Sequence, residues 1–161
     1  MHEISILTVG GTIDKVYFDA KSEYEVGPPN IAKVLAEMTL SISYTINPLM
    51  RKDSLDLTGE DRALIAATVA ADSGHRILIT HGTDTMVQTA LQLRQIPNKT
   101  IVLTGALEPA LFKTSDAVFN IGCALGAVQS LPPGVYIAMN GKIFTADTVR
   151  KNLQENRFEC V

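Results

Sequence analysis

Five short apolar runs separated by four helical patterns constrain this chain most. The runs are residues 4–9, 41–47, 76–80, 100–104 and 135–139. Residues 4–9, Ile-Ser-Ile-Leu-Thr-Val, are rich in β-branched side chains and stop at Gly10-Gly11, as a buried strand does. The helical patterns run from Asn30, a capping residue, to about Met38; from Gly59 to about Ala71; from about Thr85 to Arg94; and from Ser115-Asp116 onward through Ala117, Phe119, Ile121 and Leu125. Thr58-x-x-Asp61 is close to a capping box. Strands alternating with helices predict an α/β fold, one three-layer domain with a mostly parallel sheet covered on both faces. Ile143-Phe144 is expected to return as the second arm of a hairpin after Asn140-Gly141. Residues 10–29 read as a long binding loop or lid, and residues 146–161 as a polar tail.

In such a sheet, ligands bind beyond the carboxyl ends of the strands. The connections at 10–29, 48–57, 81–84 and 105–115 all leave those ends, so they should converge on one edge. Two of them stand out. His81-Gly82-Thr83-Asp84-Thr85-Met86 follows the apolar run Ile77-Leu78-Ile79-Thr80, and Gly10-Gly11-Thr12-Ile13-Asp14 follows the first strand. Hydroxyls, a carboxylate and glycines at such a turn suit chemistry on a small polar molecule.

Other classes are disfavoured. The 161 residues carry a formal net charge of −3, which argues against a nucleic-acid partner. No apolar run approaches the roughly 18 to 20 residues of a membrane span. Met1-His2-Glu3-Ile4 lacks the basic-then-apolar start of a signal peptide, so a cytoplasmic location is expected. Cys123 and Cys160 make no metal pattern and read as free thiols. Gly10-Gly11-Thr12 lacks both the dinucleotide G-x-G-x-x-G and the Lys-Ser/Thr of a phosphate loop. No cofactor and no metal are expected.

Each chemical candidate also has a plain structural reading. The glycines let backbone approach a ligand and expose N–H donors. Thr12 can be a turn hydroxyl that caps local backbone. Thr83 and Asp84 can be a helix N-cap pair, or a hydroxyl and a carboxylate that act together. An active hydroxyl needs a base or cation beside it. His81 qualifies by type but is expected to pack at the strand end. Lys151 is the better candidate if the tail folds back.

The runs Ile6-Leu7-Thr8-Val9-Gly10-Gly11-Thr12-Ile13, His81-Gly82-Thr83-Asp84-Thr85-Met86 and Leu103-Thr104-Gly105-Ala106 resemble the bacterial-type L-asparaginase family. That family's usual motifs are Thr-Gly-Gly-Thr-Ile and His-Gly-Thr-Asp-Thr. The resemblance covers essentially the whole chain, residues 1–161, but only the N-terminal-type domain. It is similar to the short, single-domain branch, without a C-terminal domain. It implies hydrolysis of L-asparagine to L-aspartate and ammonia through a threonine acyl-enzyme, with a small-molecule substrate, no membrane or nucleic-acid partner, and a homo-oligomer. By resemblance, Thr83, Asp84 and Lys151 form one catalytic group, and Asp84 also binds the substrate amino group. Arg150 competes with Lys151 for that alignment position. Tyr24 resembles the loop tyrosine that supports the first threonine. Asp53 and Ser54 resemble the segment that holds the substrate's α-carboxylate and amino group. Gly11, Gly82 and Ala106 line the substrate, the last offering its carbonyl near the departing ammonia.

One departure bears on the chemistry. The usual first nucleophile, the threonine before Gly-Gly, is Val9 here. Valine keeps the shape and loses the hydroxyl. The chain is then an impaired or inactive form that still binds substrate; or Thr12 or Thr83 serves instead; or Thr8 slips into place, although strand alternation points it to the opposite face. Two further readings follow. A catalytically weak amino-acid binder or sensor is favoured by Val9. A component of a tRNA-dependent amidotransferase, which shares the fold, is disfavoured by the acidic balance. Glutamine in place of asparagine is a variant of the first reading, because one methylene is worth only about 1–3 kcal/mol in a pocket.

Overall fold

A computed structural model describes residues 3–161. Among these residues there are ten strands and four α-helices; the five expected strands and four expected helices come in the expected order, and further strands are added to them. The central sheet is built from β1 (Ile4–Thr8), β4 (Tyr44–Pro48), β5 (Arg76–Thr80), β6 (Thr100–Thr104), β7 (Gly134–Met139) and β8 (Lys142–Thr145). Its order is β4-β1-β5-β6-β7-β8. The first five strands pair in parallel, and β8 returns antiparallel on β7. From β1 the chain steps outward to β4, then crosses to β5 on the other side of β1. The strand order therefore reverses between β1 and β5, which is where sheets of this kind bind ligands.

Alternation along the strands builds two cores. Leu7, Val9, Ile77, Ile79, Leu103 and Ile137 join α2 (Gly59–Ala71) and α3 (Met86–Leu93) on one face. Ile4, Ile6, Leu78 and Val102 join α1 (Asn30–Ala36) and α4 (Ala117–Ser130) on the other. Both faces of β5 and β6 are covered, so their sequences are continuous apolar runs rather than alternating ones. The capping box at α2 is complete: Thr58 Oγ1 accepts from the Asp61 amide, and Asp61 accepts from the Thr58 amide. No helix among the described residues is long and apolar enough to cross a membrane.

Three local expectations change. Residues 10–29 are not an open loop: β2 (Lys15–Phe18) and β3 (Glu23–Val26) form an antiparallel hairpin. Its polar, exposed side chains hid the strand period. Asn30 is the first residue of α1 rather than its cap; the Asp14 carboxylate caps instead, accepting the Asn30 amide at 2.8 Å. The polar tail is also a hairpin, β9 (Val149–Asn152) with β10 (Arg157–Cys160). Only Val149 and Phe158 anchor it in the core, too few apolar positions for a strand pattern to register.

Candidate active site

The turns after β1 and β5 lie in direct contact. A Cβ on Gly11 would collide with the backbone of Gly82. A Cβ on Gly82 would fall 2.6 Å from Ser54 Cβ. Gly10 and Gly11 also hold φ of 112° and 93°, a region costly for other residues. The glycines thus stack three chain segments, 9–12, 53–55 and 81–85, at the reversal point. Further hydrogen bonds fix the stack. The Val9 amide donates to the Thr80 carbonyl and the Lys52 amide to the Val9 carbonyl, both at 3.0 Å. Thr85 Oγ1 donates to the Ser54 carbonyl at 2.8 Å, and the Thr85 amide reaches Ser54 Oγ at 3.3 Å.

Thr83, Asp84 and Lys151 meet here. Lys151 Nζ donates to Thr83 Oγ1 at 2.8 Å and to Asp84 Oδ1 at 2.7 Å. The lysine side chain is only 12% exposed, against 38% for Asp84, so the carboxylate is the more solvent-accessible of the two. The tail hairpin explains the aim. Val149 is buried in the core, and Lys151, two residues on, shares its side of the strand. Arg150 alternates outward to Glu159, at 2.9 Å, and makes no contact with Thr83 or Asp84. Neither Thr83 nor Asp84 acts as a helix cap: α3 begins after Thr85 without a capping side chain.

His81 takes no part in this cluster. It is fully buried. Its Nδ1 donates to the Gly82 carbonyl at 2.6 Å, which leaves Nε2 to accept the Thr89 hydroxyl at 2.7 Å. Burial pushes its pKa down to about 4, with Arg62 adding to the effect against the Gly82 hydrogen bond.

Among the described residues, none of the remaining candidates bonds through its side chain to this cluster. Val9 is fully buried, on the α2/α3 face with Leu7. Thr8 alternates with it and so belongs to the α1/α4 face, away from Val9. Thr12 is half-buried in a single 3₁₀ turn, Thr12–Asp14. Ala106 is fully buried just beyond β6. Tyr24 stays on the hairpin, half-exposed, with its ring 5.3 Å from that of Tyr17 and 5.7 Å from that of Phe112.

A cleft of about 560 Å³ opens between the β2–β3 hairpin and residues 51–56, lined by Lys15, Tyr24, Arg51 and Asp53 among others. Lys15 Nζ lies 3.0 Å from Asp53 Oδ2. Partial burial alone would raise the Asp53 pKa, but Lys15, the Leu55 amide and the field of Lys151 together hold it below the usual carboxylate value. Two features had no sequence signal: the Lys15–Asp53 pair and the burial of Asp14. Asp14 is 1% exposed, and burial raises its pKa to about 6, against the Asn30 amide bond and the Arg51 charge. Among the described residues, no three His, Cys, Asp or Glu side chains group as metal ligands.

Comparison with known proteins gives a consistent result. Residues 3–160 match the family described as asparaginase, N-terminal. A probable periplasmic L-asparaginase of Haemophilus influenzae is 32% identical over 159 residues, covering 92% of this chain and 46% of that protein. The thermostable L-asparaginase of Thermococcus kodakarensis superposes with a TM-score of 0.85 at 28% identity, over 98% of this chain and 51% of that one. A probable cytoplasmic L-asparaginase of Campylobacter jejuni superposes at 0.76, also with 28% identity, over 99% of this chain and 52% of that one. The chain thus spans about half the length of the relatives it matches.

Proposed function

This chain belongs to the asparaginase family, through the N-terminal domain that defines it, and on that premise we propose that it is an L-asparagine amidohydrolase. The reaction is L-asparagine and water to L-aspartate and ammonia. The observation that carries this reading is the Thr83–Lys151–Asp84 cluster at the reversal point of the sheet. A hydroxyl, a lysine and a carboxylate in mutual contact can move a proton between substrate, nucleophile and water. In this reading a threonine oxygen attacks the side-chain amide carbon, ammonia leaves with a proton relayed through the cluster, and water releases aspartate from the acyl-enzyme. Asp84 and Asp53 hold the substrate's amino group, and Ser54 its α-carboxylate. Gly11 and Gly82 keep the floor of the site free of side chains, and Ala106 presents its carbonyl.

Val9 occupies the position of the first nucleophile, so the activity is expected to be strongly impaired. The test is ammonia release from L-asparagine by this chain and by Val9→Thr, side by side. An active Val9→Thr beside a nearly dead parent supports the reading. Equal rates would move the nucleophile to Thr12 or Thr83. Silence from both would favour the second reading, an amino-acid binder, for which Val9 is the specific observation. We further propose a cytoplasmic homo-oligomer. The Campylobacter relative is named cytoplasmic and the Haemophilus relative periplasmic, so cell fractionation and light scattering of the full chain are the direct checks.

A further inference from the structure

The buried His81 ring is the middle of a chain of hydrogen bonds that begins on α2. Arg62, half-buried there, donates through Nε to Thr89 Oγ1 at 3.2 Å. Thr89, on α3 and 1% exposed, meets His81 Nε2 at 2.7 Å. His81 Nδ1 meets the Gly82 carbonyl at 2.6 Å. The same guanidinium reaches the Leu57 carbonyl through Nη1 at 3.4 Å. Arg62 is not among the residues that line the cleft.

The donors in this chain can point only one way. A guanidinium keeps its charge and has no lone pair to offer, so it only donates. Thr89 Oγ1 therefore accepts from Arg62, and its single proton goes to His81 Nε2. The ring, kept neutral by burial, then carries its own proton on Nδ1 and donates it to the Gly82 carbonyl. Each link polarises the next. The chain ends on the peptide that joins Gly82 to Thr83. Gly82 has no side chain with which to hold that peptide, and close contact with Ser54 forbids one. The turn is therefore held through its main chain. We propose that Arg62, Thr89 and His81 are positioning residues: acting through the Gly82–Thr83 peptide, they hold the Thr83 hydroxyl against Lys151. Arg62 also ties down Leu57, next to the 3₁₀ turn Ser54–Asp56. One guanidinium outside the cleft thus braces both the 54–57 segment and the 81–85 turn. The catalytic consequence rests on the hydrolase reading.

The experiment has two arms. The first is NMR of the full chain with isotope-labelled histidine. The His81 proton should be on Nδ1, giving a far-downfield signal that exchanges slowly with solvent. Thr89→Val keeps the shape and loses the hydroxyl, and should move that signal upfield; Thr89→Ser should restore it. Arg62→Met, one link further up the chain, should move it in the same direction by less. A ring proton on Nε2 in the parent overturns the proposal, as does an Nδ1 signal that neither Thr89→Val nor Arg62→Met moves. The second arm is steady-state kinetics with L-asparagine in Val9→Thr. There Thr89→Val should lower kcat by about tenfold or more with KM within about threefold, the pattern of a reacting group displaced in a site that still binds. Thr89→Ser should bring kcat back to within about threefold, and Arg62→Met should lower it by about threefold. Melting curves establish folding; should Thr89→Val not fold, Arg62→Met decides both arms, and an unmoved signal or an unchanged kcat then overturns the relay. An unchanged kcat in folded Thr89→Val, or a loss that Thr89→Ser does not restore, overturns the positioning role and leaves the hydrolase reading standing. Silence from Val9→Thr itself overturns the hydrolase reading, and the first arm then decides the relay alone.

Discussion

The turn after β5 and the segment after β1 face each other across the reversal point, yet they are built in opposite ways. The β5 turn is locked. His81 is saturated by Gly82 and Thr89, Ser54 braces Thr85, and Lys151 clamps Thr83 and Asp84. The β1 segment starts equally tight at Gly10 and Gly11 and then leaves the core. Its hairpin meets the rest of the domain largely through exposed groups, the Lys15–Asp53 pair and the contact of Tyr24 with Phe112. The contrast teaches where each job belongs. Fixed geometry suits reacting groups, and weak exposed contacts suit groups that admit and enclose a ligand; under the proposed function the β5 turn would serve the first role and the hairpin the second.

The sharpest way to break this comparison is at Val9, where the β1 side lacks its hydroxyl. Val9→Thr should raise ammonia release from asparagine by several orders of magnitude; a rise under tenfold in a steady-state assay would mean that the β1 side never carried the nucleophile. In that revertant, Thr83→Ala and Lys151→Met should each lower kcat by about 10²–10⁴-fold, whereas Arg150→Met should stay near the parent rate because Arg150 turns away to Glu159. Comparable losses at 150 and 151 would show that the tail hairpin acts by folding alone. Packing between the two turns can be tested by Gly82→Ala, which drives a methyl into Ser54 and should cost about 1–3 kcal/mol in urea unfolding.

The smallest effects lie in the pH dependence of stability, and there the two sides oppose each other. Asp14, on the β1 side, has its pKa raised from 3.8 to about 6 by burial. The folded state binds the extra proton, so the stability it contributes is present below pH 3.8 and is lost as pH rises through 6. His81, on the β5 side, has its pKa lowered from 6.5 to about 4. Its contribution is present above pH 6.5 and is lost as pH falls through 4. The two slopes nearly cancel between pH 4 and 6. Asp14→Asn should remove one of them, leaving stability that climbs with pH across that window by about 1–3 kcal/mol. A flat profile for Asp14→Asn in urea melts at several pH values would show that the two groups do not oppose each other.

Much of the fold was legible in the sequence because burial on both faces leaves a plain mark. The runs at 76–80 and 100–104 each carry three consecutive aliphatic residues, Ile77-Leu78-Ile79 and Ile101-Val102-Leu103, and β5 and β6 lie inside the sheet. The Thr58 box and the Asn140-Gly141 turn were readable for a different reason: their chemistry is local. The two hairpins were not readable. Lys15–Phe18 and Glu23–Val26 bury almost nothing, so no apolar period distinguishes them from a loop.

Local order along the chain supplies the groups near the carboxyl edge: Val9 before the glycines, Thr83 and Asp84 after β5, and a lysine and an arginine side by side in the tail. Their spacing is a property of the chain alone. Which of them touch is a property of packing. Alternation on a strand seated by Val149 turned Lys151 inward and Arg150 outward. Burial removed His81 from proton chemistry and capped α1 with Asp14. The antiparallel hairpin brought Lys15 back to Asp53 across 38 residues of sequence. Contacts of this kind depend on where two distant segments are packed, and no local propensity or period encodes that.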